Sequence, residues 1–172
     1  KVYIPTTAVA EAKREGAKGE PPSPPDGRKD PNEKKTEDGK APVKEIGAFP
    51  YFCMMSPDGK RVFVSLWNRA AVGVIERDKN AVGATWPTAE HPTEMVLSPN
   101  GKALYVACAN STKVSVLDPA TGKGLQTINC ALYPGAPNGN TPNSLTMTSD
   151  GELLFVANAD ANNLAVFNVS DP

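Results

Sequence analysis

An all-β fold is predicted for these 172 residues by three observations. From residue 46 onward, apolar side chains alternate or run for four to six positions between turn residues, and no long segment keeps a helical period. Asp58-Gly59, Asn100-Gly101 and Asp150-Gly151 each stand between two β-prone runs. A residue tolerant of positive φ followed by glycine is the strongest short-range hairpin signal. The three glycines recur at periods of 42 and 50, and roughly 40 to 50 residues supply the four strands of one propeller blade. The expected architecture is a partial β-propeller of about three four-stranded blades.

The elements follow in chain order. Within residues 1–10, Val2-Tyr3-Ile4 reads as a short strand of a preceding blade. Residues 11–42 carry Gly16, Gly19, Pro21, Pro22, Pro24, Pro25 and Pro31 among lysine, aspartate and glutamate, with almost no large apolar side chain. Such a stretch cannot bury enough surface to offset its ordering entropy, so a flexible insertion is expected, a docking tail being the functional alternative. Residues 43–172 divide into repeats at about 43–90, 91–140 and 141–172. Pro50 to Ser65, Pro92 to Ala107 and Pro142 to Ala157 align as strand A, turn and strand B. Strand C follows as Ala71 to Ile75, Lys113 to Leu117 and Asn163 to Phe167. Pro119-Ala120-Thr121-Gly122-Lys123 is a turn into strand D at Gly124 to Ile128. One blade buries too little to stand alone, so neighbouring blades must stack face to face.

Composition narrows the function. Lysine and arginine number 18 against 19 acidic residues, a net charge of -1, so there is no basic field to hold nucleic acid. No apolar run reaches the roughly 18 to 20 residues that span a bilayer, and Lys1 to Ala10 lack the apolar stretch of a secretory signal. The three cysteines form no CxxC pair, so no zinc site is expected. Cys53 and Cys108 sit in apolar runs and are expected to be buried, whereas Cys130 is the candidate reactive or bridged thiol. His91 is the only histidine, which excludes a multi-histidine metal site from this chain and leaves a serine triad or haem with one candidate. No GxSxG, Walker A or dinucleotide loop occurs, and Glu76, Asp78, Glu90 and Glu94 are scattered over polar faces. Neither catalytic residues nor a cofactor are expected.

In a propeller the D-to-A and B-to-C loops share one face, and insertions concentrate on binding faces of repeat proteins. That face carries Trp67-Asn68-Arg69, Asn110-Ser111-Thr112, Asp160 to Asn163 and the long excursion Cys130 to Thr141. The expected ligand-binding residues are Trp67, Asn68, Arg69, Asn110 and Asn158, with Arg69 offering a forked donor to an anion and Trp67 a stacking surface. The competing structural role has the asparagines capping strand ends and tolerating left-handed turns. His91, before Pro92, is expected to be structural.

Ser98-Pro99-Asn100-Gly101-Lys102-Ala103-Leu104-Tyr105-Val106-Ala107-Cys108-Ala109-Asn110, followed by Val114-Ser115-Val116-Leu117-Asp118, resembles the YVTN-type repeat of YncE-like and surface-layer β-propellers. The resemblance covers residues 46–172, departing at Cys108, which is Asn158 in the third repeat, and at Leu66-Trp67-Asn68 in the first. It implies a fragment of a seven-bladed ring and a periplasmic or secreted location. Tyr133 to Asn143 is similar to the inter-blade segment of bacterial proteins that join such a propeller to an alkaline-phosphatase-like phosphoesterase domain. Two functions follow: a non-catalytic binding or scaffold module, or the propeller portion of a lactonase-like or phosphoesterase hydrolase whose catalytic groups lie outside this chain. A redox propeller holding haem or a quinone is a third. The expected partners are the remaining blades or a second copy of the chain, with a small anionic or protein ligand.

Overall fold

The computed structural model describes residues 47–133, 135 and 137–170. The expected strand at 2–4 and the insertion at 11–42 lie outside them. The described residues form three antiparallel sheets in chain order, a partial β-propeller. The first contains β1 (Pro50–Met55), β2 (Arg61–Leu66), β3 (Ala71–Glu76) and β4 (Ala81–Pro87). The second contains β5 (Pro92–Leu97), β6 (Leu104–Cys108), β7 (Lys113–Leu117) and β8 (Gly124–Asn129). The third contains β9 (Pro142–Met147), β10 (Leu153–Asn158) and β11 (Asn163–Asn168). Each sheet is a meander in which sequence neighbours pair.

The A-to-B turns work differently from the sequence expectation. Only the glycine takes positive φ, 68° at Gly59, 70° at Gly101 and 79° at Gly151. The preceding residue acts through its side chain instead. The Ser56 hydroxyl donates to Asp58 Oδ1 at 2.6 Å and the Lys60 N–H donates to the same oxygen at 3.1 Å. Ser98, Asn100 and Lys102 repeat this at 2.7 and 3.0 Å. A short polar side chain that accepts a backbone N–H two residues on stabilises the turn without a left-handed backbone.

Two apolar layers hold the blades together. Between the first and second sheets, Phe63, Val72, Val74 and Trp86 meet Met95, Leu104, Val106, Cys108 and Leu117. Phe63 and Trp86 stack at 5.4 Å between ring centres. Between the second and third, Tyr105, Val114, Val116, Ile128 and Cys130 meet Leu145, Leu154, Val156 and Val169. The alternation of each strand thus sends one set of side chains to the blade before and the other to the blade after. Full burial of each large side chain contributes about 1.5 to 3 kcal/mol, so these layers are the main cohesive element.

The cysteines correct two expectations. Cys53 is exposed, because strand β1 has no blade covering that side among the described residues, while Cys108 and Cys130 are buried. Burial, with a smaller effect of nearby Cys108, pushes the Cys130 thiol up to about 11. Cys130 is therefore a protonated core residue and not a reactive thiol. All three are free.

Candidate functional site

The D-to-A and B-to-C loops are joined end to end by backbone hydrogen bonds that repeat in every blade. The Trp67 N–H donates to Phe49 O at 3.0 Å, the Ala109 N–H to His91 O at 2.9 Å and the Ala159 N–H to Thr141 O at 2.9 Å. The acceptors Phe49, His91 and Thr141 have φ of 44°, 56° and 53°, each directly before a proline. A second set, Ala70, Thr112 and Asn162, closes the B-to-C loops at 47°, 55° and 51°. The loop face is thus a repeated frame of left-handed corners, and its individuality lies in the side chains mounted on it.

In the first blade that frame carries Trp67, Asn68 and Arg69 on a single 3-10 turn, Trp67–Arg69. Trp67 is half-buried and its indole lies against the His91 imidazole, with ring centres 4.0 Å apart and planes tilted by 46°. Offset or tilted contact is the arrangement ring quadrupoles favour. His91 Nδ1 is buried and has no hydrogen-bond partner among the described residues. A buried unsatisfied nitrogen costs about 1 to 3 kcal/mol, so it calls for an explanation. His91 was expected to be structural, and its carbonyl is; its ring, however, joins Trp67. Sequence offered no signal for this, because the short connection 88–91 is defined only once the end of β4 is known.

The other expected residues are spread over the three blades. Asn68 Nδ2 donates to Gly47 O at 3.2 Å, tying the loop to the segment before β1. Asn110 is exposed on the matching 3-10 turn of the second blade, Ala109–Ser111. Asn158 ends β10 in the third blade, buried, with Nδ2 donating to Asn163 Oδ1 at 2.9 Å and its own Oδ1 unpartnered. The five residues thus belong to three blades, and the ring contact is between Trp67 and His91. The end of the long excursion is fastened inward: Asn140 Nδ2 donates to Cys130 O at 2.5 Å and the Gly139 N–H to Thr112 Oγ1 at 2.8 Å. On the opposite face, the Arg61 guanidinium crosses to Pro119 O at 2.8 Å, linking the turns of blades one and two. No group of three or more histidine, cysteine, aspartate or glutamate side chains is placed to hold a metal among the described residues. No helix among them is long and apolar enough to cross a membrane.

These features define a partial β-propeller whose loop face carries the Trp67–His91 aromatic pair. No protein-family model matches the chain, and no curated protein does. Solved structures do match. Kuenenia stuttgartiensis hydrazine synthase superposes with a TM-score of 0.62 at 23% identity, over 76% of this chain and 36% of its own. A Pseudomonas aeruginosa periplasmic gluconolactonase gives 0.61 at 25% identity, over 70% and 37%. A putative 6-phosphogluconolactonase of Bacteroides fragilis gives 0.59 at 20%, over 71% and 35%. The chain thus spans little more than a third of the length of these structures.

Proposed function

We propose that this chain is a propeller binding module of the YVTN repeat type that takes a small anionic ligand on its loop face beside Trp67, Arg69 and His91. The observation that carries the reading is the half-buried Trp67 indole held on the His91 ring, whose Nδ1 lacks a partner. A half-open aromatic surface suits the apolar face of a small ligand, and a guanidinium two residues along the same turn suits its charge. Asn68 serves that site by bracing the turn, and Asn110 and Asn158 extend the polar rim on the next two blades. A periplasmic or secreted location is part of this reading, in keeping with the periplasmic gluconolactonase among the similar structures.

The test is a tryptophan fluorescence titration with gluconate. There are two tryptophans, and Trp86 is buried against Phe63, so a response should come from Trp67. A saturable change that Trp67→Phe abolishes supports the reading. No response, or one unchanged in Trp67→Phe, contradicts it.

A second reading makes the chain part of a lactone hydrolase, favoured by the gluconolactonase likeness at 25% identity. Hydrolysis of gluconolactone above background, followed by base uptake at constant pH, would favour it over simple binding.

A further inference from the structure

The sequence holds two Asn-Gly pairs, Asn100-Gly101 and Asn138-Gly139, each preceded by proline. In such a pair the backbone nitrogen of the second residue can attack the side-chain amide carbon of the first, and glycine, having no Cβ, leaves that approach open. Identical local sequence gives the two pairs the same intrinsic reactivity, so the fold alone separates them. Asn100 is locked. Its Oδ1 accepts from the Ser98 hydroxyl at 2.7 Å and from the Lys102 N–H at 3.0 Å, and the Gly101 N–H donates to Ser98 O at 2.8 Å. Both reacting groups are thus engaged within one tight turn. Asn138 is exposed near the end of the excursion 130–141, and its side chain has no hydrogen-bond partner among the described residues. One contact restrains this pair: the Gly139 N–H donates to Thr112 Oγ1 at 2.8 Å. Thr112 is 1% exposed and also receives the Asn140 N–H at 3.3 Å, so a single buried hydroxyl fastens both groups.

We infer that Asn138 is a site of spontaneous deamidation whose rate is set by the Thr112 hydroxyl. Once the Gly139 N–H leaves Thr112 and gives its proton to solvent base, its nitrogen attacks Asn138 Cγ. The new N–Cγ bond forms, the Cγ–Nδ2 bond breaks, and ammonia departs with a proton returned from solvent, leaving a five-membered succinimide. Water then opens either ring carbonyl to aspartate or isoaspartate. One water is consumed and one ammonia released, with no oxidation or reduction. The product is one unit more negative than the net -1 of the chain. In isoaspartate the main chain also runs through the former side-chain carbonyl, one carbon longer, immediately before the two N–H groups that Thr112 holds. The modification therefore loosens the loop at its anchor. Loops held by few bonds open at little cost, whereas a turn inside a packed blade opens only with the blade. Asn138 thus reacts from the folded chain, and Asn100 waits for unfolding.

Incubation of the folded chain at mildly alkaline pH, followed by anion exchange and fragmentation mass spectrometry, tests this. A more acidic species should accumulate, with the amide-to-acid mass change at Asn138 at least about 10-fold faster than at Asn100, a factor set by the additional hydrogen bonds of that turn. Thr112→Val should speed conversion at Asn138 by about 2- to 10-fold, the equivalent of one net hydrogen bond, while Thr112→Ser, which keeps the hydroxyl, should leave it slow. Ser98→Ala should raise the rate at Asn100 alone. In urea the two sites of the wild-type chain should converge on one rate, an outcome independent of how well Thr112→Val folds. Rates that stay apart in urea overturn the inference. So does an intact Asn138, conversion at Asn100 as fast as at Asn138 in the folded chain, or a folded Thr112→Val variant with an unchanged rate.

Discussion

Asp58 and Asp150 occupy the same turn position as Asn100, and only the aspartates titrate. Hydrogen bonds from the Ser56 hydroxyl and then the Lys60 N–H hold Asp58 below its ordinary value of 3.8. The Thr148 hydroxyl and the Glu152 N–H do the same for Asp150. A group whose pKa is lower in the folded chain contributes stability above its unfolded pKa, and that stability is lost as pH falls through the folded value. Stability should therefore decline as pH drops from about 5 through 3. The double variant Asp58→Asn/Asp150→Asn should flatten that decline while changing little at neutral pH, since Asn100 already accepts the equivalent bonds. Urea midpoints measured across pH check it; an unchanged acid slope would refute the turn assignment. The thiols give a second residue-scale expectation. Exposed Cys53 should be labelled rapidly by a thiol reagent at pH 8, while Cys108 and Cys130 wait for unfolding. Cys53→Ser should remove the fast phase.

At the scale of strands, β7 and β11 have the same place in their sheets but different surroundings. Val116 is sealed between two blades and Val166 is half open. Val116→Ala should cost about 2 kcal/mol in urea unfolding, the value of two buried methyl groups and the gap they leave. Val166→Ala should cost under about 0.5 kcal/mol in dilute, monomeric chain. Equal costs would mean that β11 is covered. The sequence disclosed most of this layout, because Asp-Gly and Asn-Gly turns and period-two alternation are local signals. It did not disclose β4: Ala81-Val82-Gly83-Ala84-Thr85 is small and weakly alternating, and only pairing with β3 makes it a strand. Nor did it disclose the burial of Cys130, which sits past the end of β8, where no alternation announces an inward side chain. Trp67, Asn68, Arg69 and Asn110 were legible as loop positions, whereas Asn158 is the last residue of β10, and the Trp67–His91 contact joins residues from different loops and depends on how far a short connection reaches.

The whole molecule has two unequal faces. One bears three near-identical turns, bound mostly to themselves; the other bears a repeated backbone frame on which, among the described residues, the first blade's Trp67 meets His91 as an aromatic pair. Repeats supply the cohesion and their departures supply individuality, so the ligand should be sought where the first repeat breaks the pattern at Trp67. Because His91 is the only histidine, its imidazole signals are unambiguous in a nitrogen-15 NMR spectrum. The most direct measurement is that spectrum recorded with and without gluconate. The account predicts that the two ring nitrogens shift in a saturable way, and that Trp67→Phe weakens the effect. Imidazole signals that stay fixed while gluconate binds would place the ligand elsewhere and contradict it.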